Sequence, residues 1–119
     1  MNPSLIRDAQ QTLDKLPAGD RATVKALPGQ LRSMGLVATL EWLSEKKDGK
    51  ALEEALRKQL EKALREHLDE AARKQLGPLT RAALTEQLSS VVFLEAMRHA
   101  AAFADALHLV NRALDKEQG

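Results

Sequence analysis

The sequence contains no cysteine and no tyrosine, and it has a single tryptophan. Without cysteine, the chain can form neither a disulfide framework nor a thiolate metal site. That composition fits a protein kept in a reducing compartment, so we expect a cytoplasmic location. The scarcity of aromatic side chains, 3% of the residues, disfavours the base-stacking surfaces of single-strand and RNA-recognition domains.

An excess of charge of either sign is also missing, and so are long apolar runs. The chain has 18 Lys and Arg residues against 17 Asp and Glu residues, a net charge of +1. Such a balance produces no large single-sign field, so nucleic-acid binding would need a local basic stripe or many aligned copies. No apolar run approaches the roughly 20 residues of a membrane span, and the first residues show no signal pattern. We therefore expect no membrane association.

No motif in the sequence points to catalysis. The six glycines are scattered and form neither a G-x-G nor a Walker pattern, and no G-x-S-x-G is present. Three histidines lack the converging spacing of metal ligands: His67, His99 and His108. We therefore predict that the chain is not an enzyme, holds no metal or cofactor and takes no small-molecule substrate.

The residues that dominate the composition are strong helix formers, while β-branched residues are few. Apolar periodicity predicts an all-α fold, a compact bundle of five to six helices. The bundle is expected to form one domain over residues 1–119, with its core in about 3–114 and a frayed tail at 115–119. The predicted helical segments are 3–16, 20–46 with an interruption, 50–76, 79–88 and 90–114.

Capping residues and helix breakers predict where the first helices begin and end. Asn2 is expected to cap the first helix, and Asp20 to cap the second. Pro28 lies inside the apolar pattern of the second helix and predicts a kink or break near residues 26–27. Gly35 is a second weak point. Gly77-Pro78 is expected to end the long helix that begins at residue 50.

That long helix carries leucines spaced at multiples of four. This spacing drifts about 40° per step around a helix, so the helix is expected to bend or to pass its apolar face to a second partner after about His67. Its acidic residues precede basic residues by four positions, as in Glu53–Arg57 and Glu54–Lys58. This order indicates ion pairs on a solvated face, not an acid–base site.

Basic residues gather around the interrupted second helix. If that helix were continuous, Arg21, Lys25 and Arg32 would fall within about 40° of one another, beside the apolar stripe. Lys46 and Lys47 add charge at its far end. One interpretation is an edge that follows phosphates without reading bases. The other is a rim that only increases solubility.

Trp42 is the remaining residue of this region with two interpretations. It lies about 120° or more from the centre of the apolar stripe of its own helix. It can therefore either cover the edge of the core, as large aromatics usually do, or anchor an interface with another chain.

The same region carries a resemblance to a known family. The matching features are a Leu-Pro, an apolar residue followed by Arg, a Gly-Leu and a leucine-rich segment with an aromatic: Leu27-Pro28, Leu31-Arg32, Gly35-Leu36 and Thr39-Leu40-Glu41-Trp42-Leu43. In this register the chain resembles the small-subunit family of the type III-B CRISPR effector, the Cmr complex. Beyond residue 43 the agreement is one of architecture. The family's aromatic and basic ending is replaced here by Val91-Val-Phe-Leu-Glu95 and later residues.

The resemblance implies a non-catalytic subunit of a type III CRISPR RNA-guided effector complex that acts in antiviral defense. Such subunits stack along the filament and support guide RNA–target binding through backbone contacts. On this interpretation the nucleic-acid-binding residues are Arg21, Lys25, Arg32, Lys46 and Lys47, and Trp42 lies at a subunit interface. The partners would be other subunits of the complex, guide RNA and target RNA, with self-association. The alternative is a helical protein-interaction adaptor or homo-oligomer with no nucleic-acid role.

Overall fold

The computed structural model describes residues 2–67 and 90–118, and this part of the chain is a helical bundle, as predicted. The predicted helix at 79–88 and the predicted helix end at Gly77-Pro78 lie outside the described residues. The helices are α1 (Pro3–Lys15), α2 (Ala18–Thr23), α3 (Leu27–Met34), α4 (Leu36–Glu45), α5 (Lys50–His67) and α6 (Ser90–Gln118). A single 3-10 turn, Val24–Ala26, separates α2 from α3.

Helix α1 begins where its capping residues predict. The Asn2 side chain accepts a hydrogen bond from the Ser4 backbone N–H at 2.9 Å, and Pro3 is the first helical residue. Because the missing N–H of proline costs nothing at this position, the two residues together define the start of the helix. The helix buries Leu5, Ala9 and Leu13.

The predicted interruption at Pro28 is confirmed. Helix α2 ends at Thr23, the 3-10 turn follows, and α3 begins at Leu27 with Pro28 in its first turn. Proline has no N–H to donate and its ring would clash with a preceding helical turn, so the chain restarts its helix there. Gly35 is the second break, with φ 83° and ψ 175° between α3 and α4.

The prediction that Asp20 caps its own helix is wrong. Asp20 lies inside α2, which begins after Pro17 without a side-chain cap. Its buried carboxylate instead accepts a hydrogen bond from the Leu52 backbone N–H at 2.9 Å. Leu52 is in the first turn of α5, where N–H groups have no partner inside the helix. Asp20 therefore caps a helix that is distant in sequence.

Helix α6 is the central element of the described bundle and packs against α1, α3 and α5. Its inward residues are fully buried: Ala96, Ala100, Phe103, Ala104, Ala106 and Leu107. Small alanine side chains let neighbouring helices approach closely around the one large ring of Phe103. The helix runs to Gln118, four residues beyond the end predicted at Leu114.

The leucines of α5 lie inside the bundle. Leu52, Leu56 and Leu60 have no exposed surface and Leu64 is 3% exposed. The drifting stripe stays buried over these positions because α5 packs against three helices, α2, α4 and α6. The predicted bend or second partner after about His67 concerns residues outside the described ranges.

The ion pairs predicted on α5 form at both positions that the structure describes. Arg57 Nε lies 2.9 Å from Glu53 Oε1, and Lys58 Nζ lies 3.2 Å from Glu54 Oε1. The prediction that these pairs lie on a solvated face is confirmed for Glu54 and Lys58 but is wrong for Glu53, which is only 6% exposed. Within the described helices, none combines the length and hydropathy needed to cross a bilayer.

Candidate nucleic-acid interface

Helix α2 is held in place by polar contacts with the turn before α5. The Thr23 hydroxyl lies 3.2 Å from both the Gly19 and the Asp48 carbonyl oxygens and shares its one proton between these two acceptors. A Cβ at Gly19 would lie 2.5 Å from the Asp48 side chain, so glycine permits the close approach. Together with the Asp20–Leu52 hydrogen bond, these contacts fix the position of α2, which carries Arg21.

Arg21 is anchored on the opposite side of α2 by helix α6. Its guanidinium donates to Asn111 Oδ1 at 3.3 Å, across 90 residues of sequence. Asn111 is buried at 4% exposure, while Arg21 itself is half-buried. A guanidinium has five N–H donors, and this hydrogen bond uses one of them. Arg21 is therefore pre-positioned with donors left for a ligand.

Lys25 lies one helical turn after Arg21 and is exposed. Both side chains line one open surface cavity of about 260 Å³ together with Ala18, Ala22 and Asn111. Asp115 also lines the cavity, so the cavity combines two positive groups with one negative group.

Arg32 does not join this cavity. Its predicted alignment with Arg21 and Lys25 depended on one continuous helix, and the chain here consists of α2, a 3-10 turn and α3. Arg32 is exposed in the last turn of α3. The structure thus places it on a separate segment of the molecule from the Arg21–Lys25 pair.

Lys46 and Lys47 follow α4 and also lie outside the cavity. The Lys46 ammonium lies 4.8 Å from the centroid of the Trp42 ring, a cation–π contact. Lys47 is exposed. Trp42 is half-buried and packs against the hydrophobic core, which is the position expected for a residue at the edge of the core.

A second polar cluster, which sequence reasoning missed, joins α1, α5 and α6. Gln59 Nε2 donates to Asp8 Oδ2 at 3.0 Å and lies 3.4 Å from His99 Nε2. Lys62 Nζ lies 3.1 Å from the same Asp8 oxygen. The four residues come from three helices, so no local spacing in the sequence could have indicated them.

The charge state of Asp8 reflects opposing effects. Burial by itself raises the pKa of Asp8, because a charged carboxylate loses solvation. Hydrogen bonds from Gln59 and Lys62 and the positive charges of Lys62 and Arg7 act in the other direction, and the net result is a lowered pKa. This cluster therefore stabilises ionised Asp8 and ties three helices together.

Comparison with known proteins adds no information about the role of the Arg21–Lys25 pair. Neither a scan against protein-family models, nor a search of curated proteins, nor a search of solved structures found a match to this chain. Among the described residues, no group of three or more His, Asp or Glu side chains is arranged to hold a metal ion.

Proposed function

We propose that this chain is a non-catalytic small subunit of a type III CRISPR RNA-guided effector complex. In this role it supports the guide–target duplex by contacts with the phosphate backbone. The observation that carries the proposal is the Arg21–Lys25 pair at one open cavity, with the Arg21 guanidinium held by Asn111. The register of Leu27-Pro28 and Gly35-Leu36 at two helix breaks adds the resemblance to the Cmr small subunits.

The paired cations suit a phosphate for separate reasons. The guanidinium of Arg21 has remaining donors in a planar arrangement that matches phosphate oxygens. Lys25 adds a mobile point charge on an exposed stem. Since Asp115 lines the same cavity and offsets part of this charge, we expect one copy to bind weakly. Several copies aligned along a duplex would multiply the weak contact.

The proposal is tested by neutralising the pair without reversing charge. Arg21→Gln with Lys25→Gln removes two positive charges and keeps a polar side chain at each position. A fluorescently labelled RNA duplex is titrated with each protein from about 50 to 200 mM salt, and anisotropy reports binding. We expect the slope of log K against log salt to fall in magnitude by about two in the double variant.

The matched control is Arg7→Gln with Lys15→Gln, which removes two positive charges from exposed positions of α1. It changes the net charge equally but leaves the cavity intact, so the slope is expected to stay near that of the unchanged chain. If both double variants lower the slope equally, binding follows net charge and the cavity has no special role. If the unchanged chain neither binds the duplex nor co-purifies from its host with guide RNA, the proposed function is wrong.

A second candidate function is that of a helical interaction module with no nucleic-acid role. The observation that favours it is a set of large apolar side chains left exposed on α6: Leu94, Met97 and Leu109. Leu94 and Met97 lie one turn apart, and adjacent exposed apolar residues are more typical of a contact surface than single scattered ones.

A further inference from the structure

The outward face of α6 is unusual because it alternates exposed apolar residues with opposite charges. Leu94 is 53% exposed and Leu109 is 52% exposed. Between them lie Arg98, Ala101 and Asp105, all exposed. At 100° per residue these five side chains fall within an arc of about 80° on the helix. They therefore form one continuous strip, here called the α6 strip.

The order of residues along the α6 strip is self-complementary. When two such helices lie antiparallel and cross between residues 101 and 102, Leu94 of each copy stands opposite Leu109 of the other. The same alignment sets Arg98 opposite Asp105 of the second copy. Arg98 and Asp105 lie only about 20° apart around the helix, and a two-fold axis brings equivalent sides of the strip together. Ala101 lies at the crossing point, where a small side chain allows close helix packing.

We propose that the α6 strip binds the α6 strip of a second copy of this chain as an antiparallel pair. The symmetry makes each contact occur twice, giving two leucine pairs and two Arg98–Asp105 pairs. Opposite charge is the feature that selects a second copy over an unrelated apolar partner. A parallel alignment in register would set Arg98 against Arg98 and lose this complementarity.

The existing contacts of Arg98 are compatible with this arrangement. Within the chain Arg98 Nη1 lies 3.4 Å from Glu95 Oε1, and the Arg98 side chain remains 78% exposed. An ion pair so open to solvent contributes little to stability. The remaining guanidinium donors can therefore reach Asp105 of the second copy while the contact with Glu95 is kept.

The pairing has a definite consequence for assembly. A two-fold interface uses the same surface on both copies and closes on itself, so it produces a dimer and not a filament. Side-by-side stacking of many copies would need another surface. The inference thus goes beyond the proposed function, and either can fail while the other holds.

Sedimentation equilibrium of the purified full chain tests the pairing over a concentration range from about 10 µM to 1 mM. A single helix pair is smaller than a standard protein interface, so a dissociation constant on the order of 100 µM is expected. Arg98→Glu and Asp105→Arg each place like charges opposite each other at two points and are expected to weaken the dimer at least about tenfold. The double variant Arg98→Glu with Asp105→Arg restores opposite charges and is expected to recover the dimer.

Two further variants separate the pairing from general effects. Arg7→Glu makes the same charge change on the exposed face of α1 and should leave the dimer unchanged. Leu109→Glu should abolish the dimer while the melting temperature at low concentration, followed by circular dichroism, stays within a few degrees. A monomer at all concentrations overturns the inference, as does failure of the charge-swapped double variant to recover the dimer. A large loss of thermal stability in the monomeric Leu109→Glu variant also overturns it, because the face would then be covered within the chain.

Discussion

The same substitution, glycine to alanine, is expected to act in opposite directions at two positions six residues apart. Gly35 has φ 83° and ψ 175°, a backbone region that is essentially restricted to glycine. Gly29 lies within α3 and its φ is not positive. A Cβ at either position would meet no atom within 4 Å. A difference in stability between the two variants therefore reflects backbone conformation and not contacts of the added methyl group.

The magnitudes follow from those conformations. Forcing alanine into the Gly35 conformation costs about 1–3 kcal/mol of unfolding free energy. At Gly29, alanine lowers the conformational entropy of the unfolded chain and favours the helix, which stabilises by about 0.5–1 kcal/mol. The two variants should thus differ by roughly 1.5–4 kcal/mol. For a domain of this size, each kcal/mol shifts the melting temperature by roughly 4 °C.

Urea unfolding followed by circular dichroism at 222 nm measures both variants under one set of conditions. The slopes against urea should be equal, so that midpoints compare stability directly. If Gly35→Ala is as stable as the unchanged chain, residue 35 does not require a positive φ and the described break between α3 and α4 is wrong. If Gly29→Ala destabilises, α3 does not extend through residue 29.

Two further predictions concern the polar contacts between helices. Asp20→Ala leaves the Leu52 N–H without its partner and is expected to lower the unfolding free energy by about 1–3 kcal/mol. The control Asp14→Ala, at an exposed position of α1, should change the unfolding free energy by less than about 0.5 kcal/mol. Equal effects of the two variants in urea unfolding would argue against the cap of Asp20 on α5. The lowered pKa of Asp8 means that the unfolded state binds this proton more readily, so the contribution of Asp8 is present above the ordinary aspartate pKa and is lost as pH falls through the lowered value. Acid unfolding of Asp8→Asn below about pH 4 should therefore be less steep than that of the unchanged chain, and identical pH profiles would contradict the Asp8–Lys62 contact.

Local sequence signals located most of the helix boundaries in the described chain. Asn2 and Pro3 predicted the start of α1, and Pro28 and Gly35 predicted two breaks. The prolines act by lacking an N–H, Gly35 by allowing a positive φ, and Asn2 by a side-chain hydrogen bond two residues along the chain. Such effects depend on immediate neighbours and can therefore be recognised without knowledge of the fold.

Contacts between distant segments were harder to predict. Asp20 was expected to cap its own helix, because a short acidic residue before an apolar pattern usually does so. The choice of Leu52 as its partner depends on how α2 packs beside the start of α5. The burial of Glu53 was missed for the same reason, since periodicity identifies a helix face but not which neighbour covers it.

The candidate site shows the same difference between local sequence signals and contacts made by distant segments. The sequence pattern placed Arg21, Lys25 and Arg32 along one helix, and the structure brings only Arg21 and Lys25 to the same cavity. The pattern grouped Arg32 with them only by assuming continuity through Pro28. The contact of Lys46 with Trp42 joins residues four positions apart, and sequence reasoning missed this local relation. The relation of Arg21 to Asn111 spans 90 residues and exists only in the folded chain.

By itself, the sequence of this protein determined that the chain is helical, where several of its helices begin and end, and which residues carry charge. These properties arise from backbone geometry and from side chains within one or two turns. Only the tertiary structure decided which charges are anchored, as at Arg21, and which apolar residues remain exposed, as on the α6 strip. Those properties depend on which helices pack together, and packing is set by contacts spread over the whole chain.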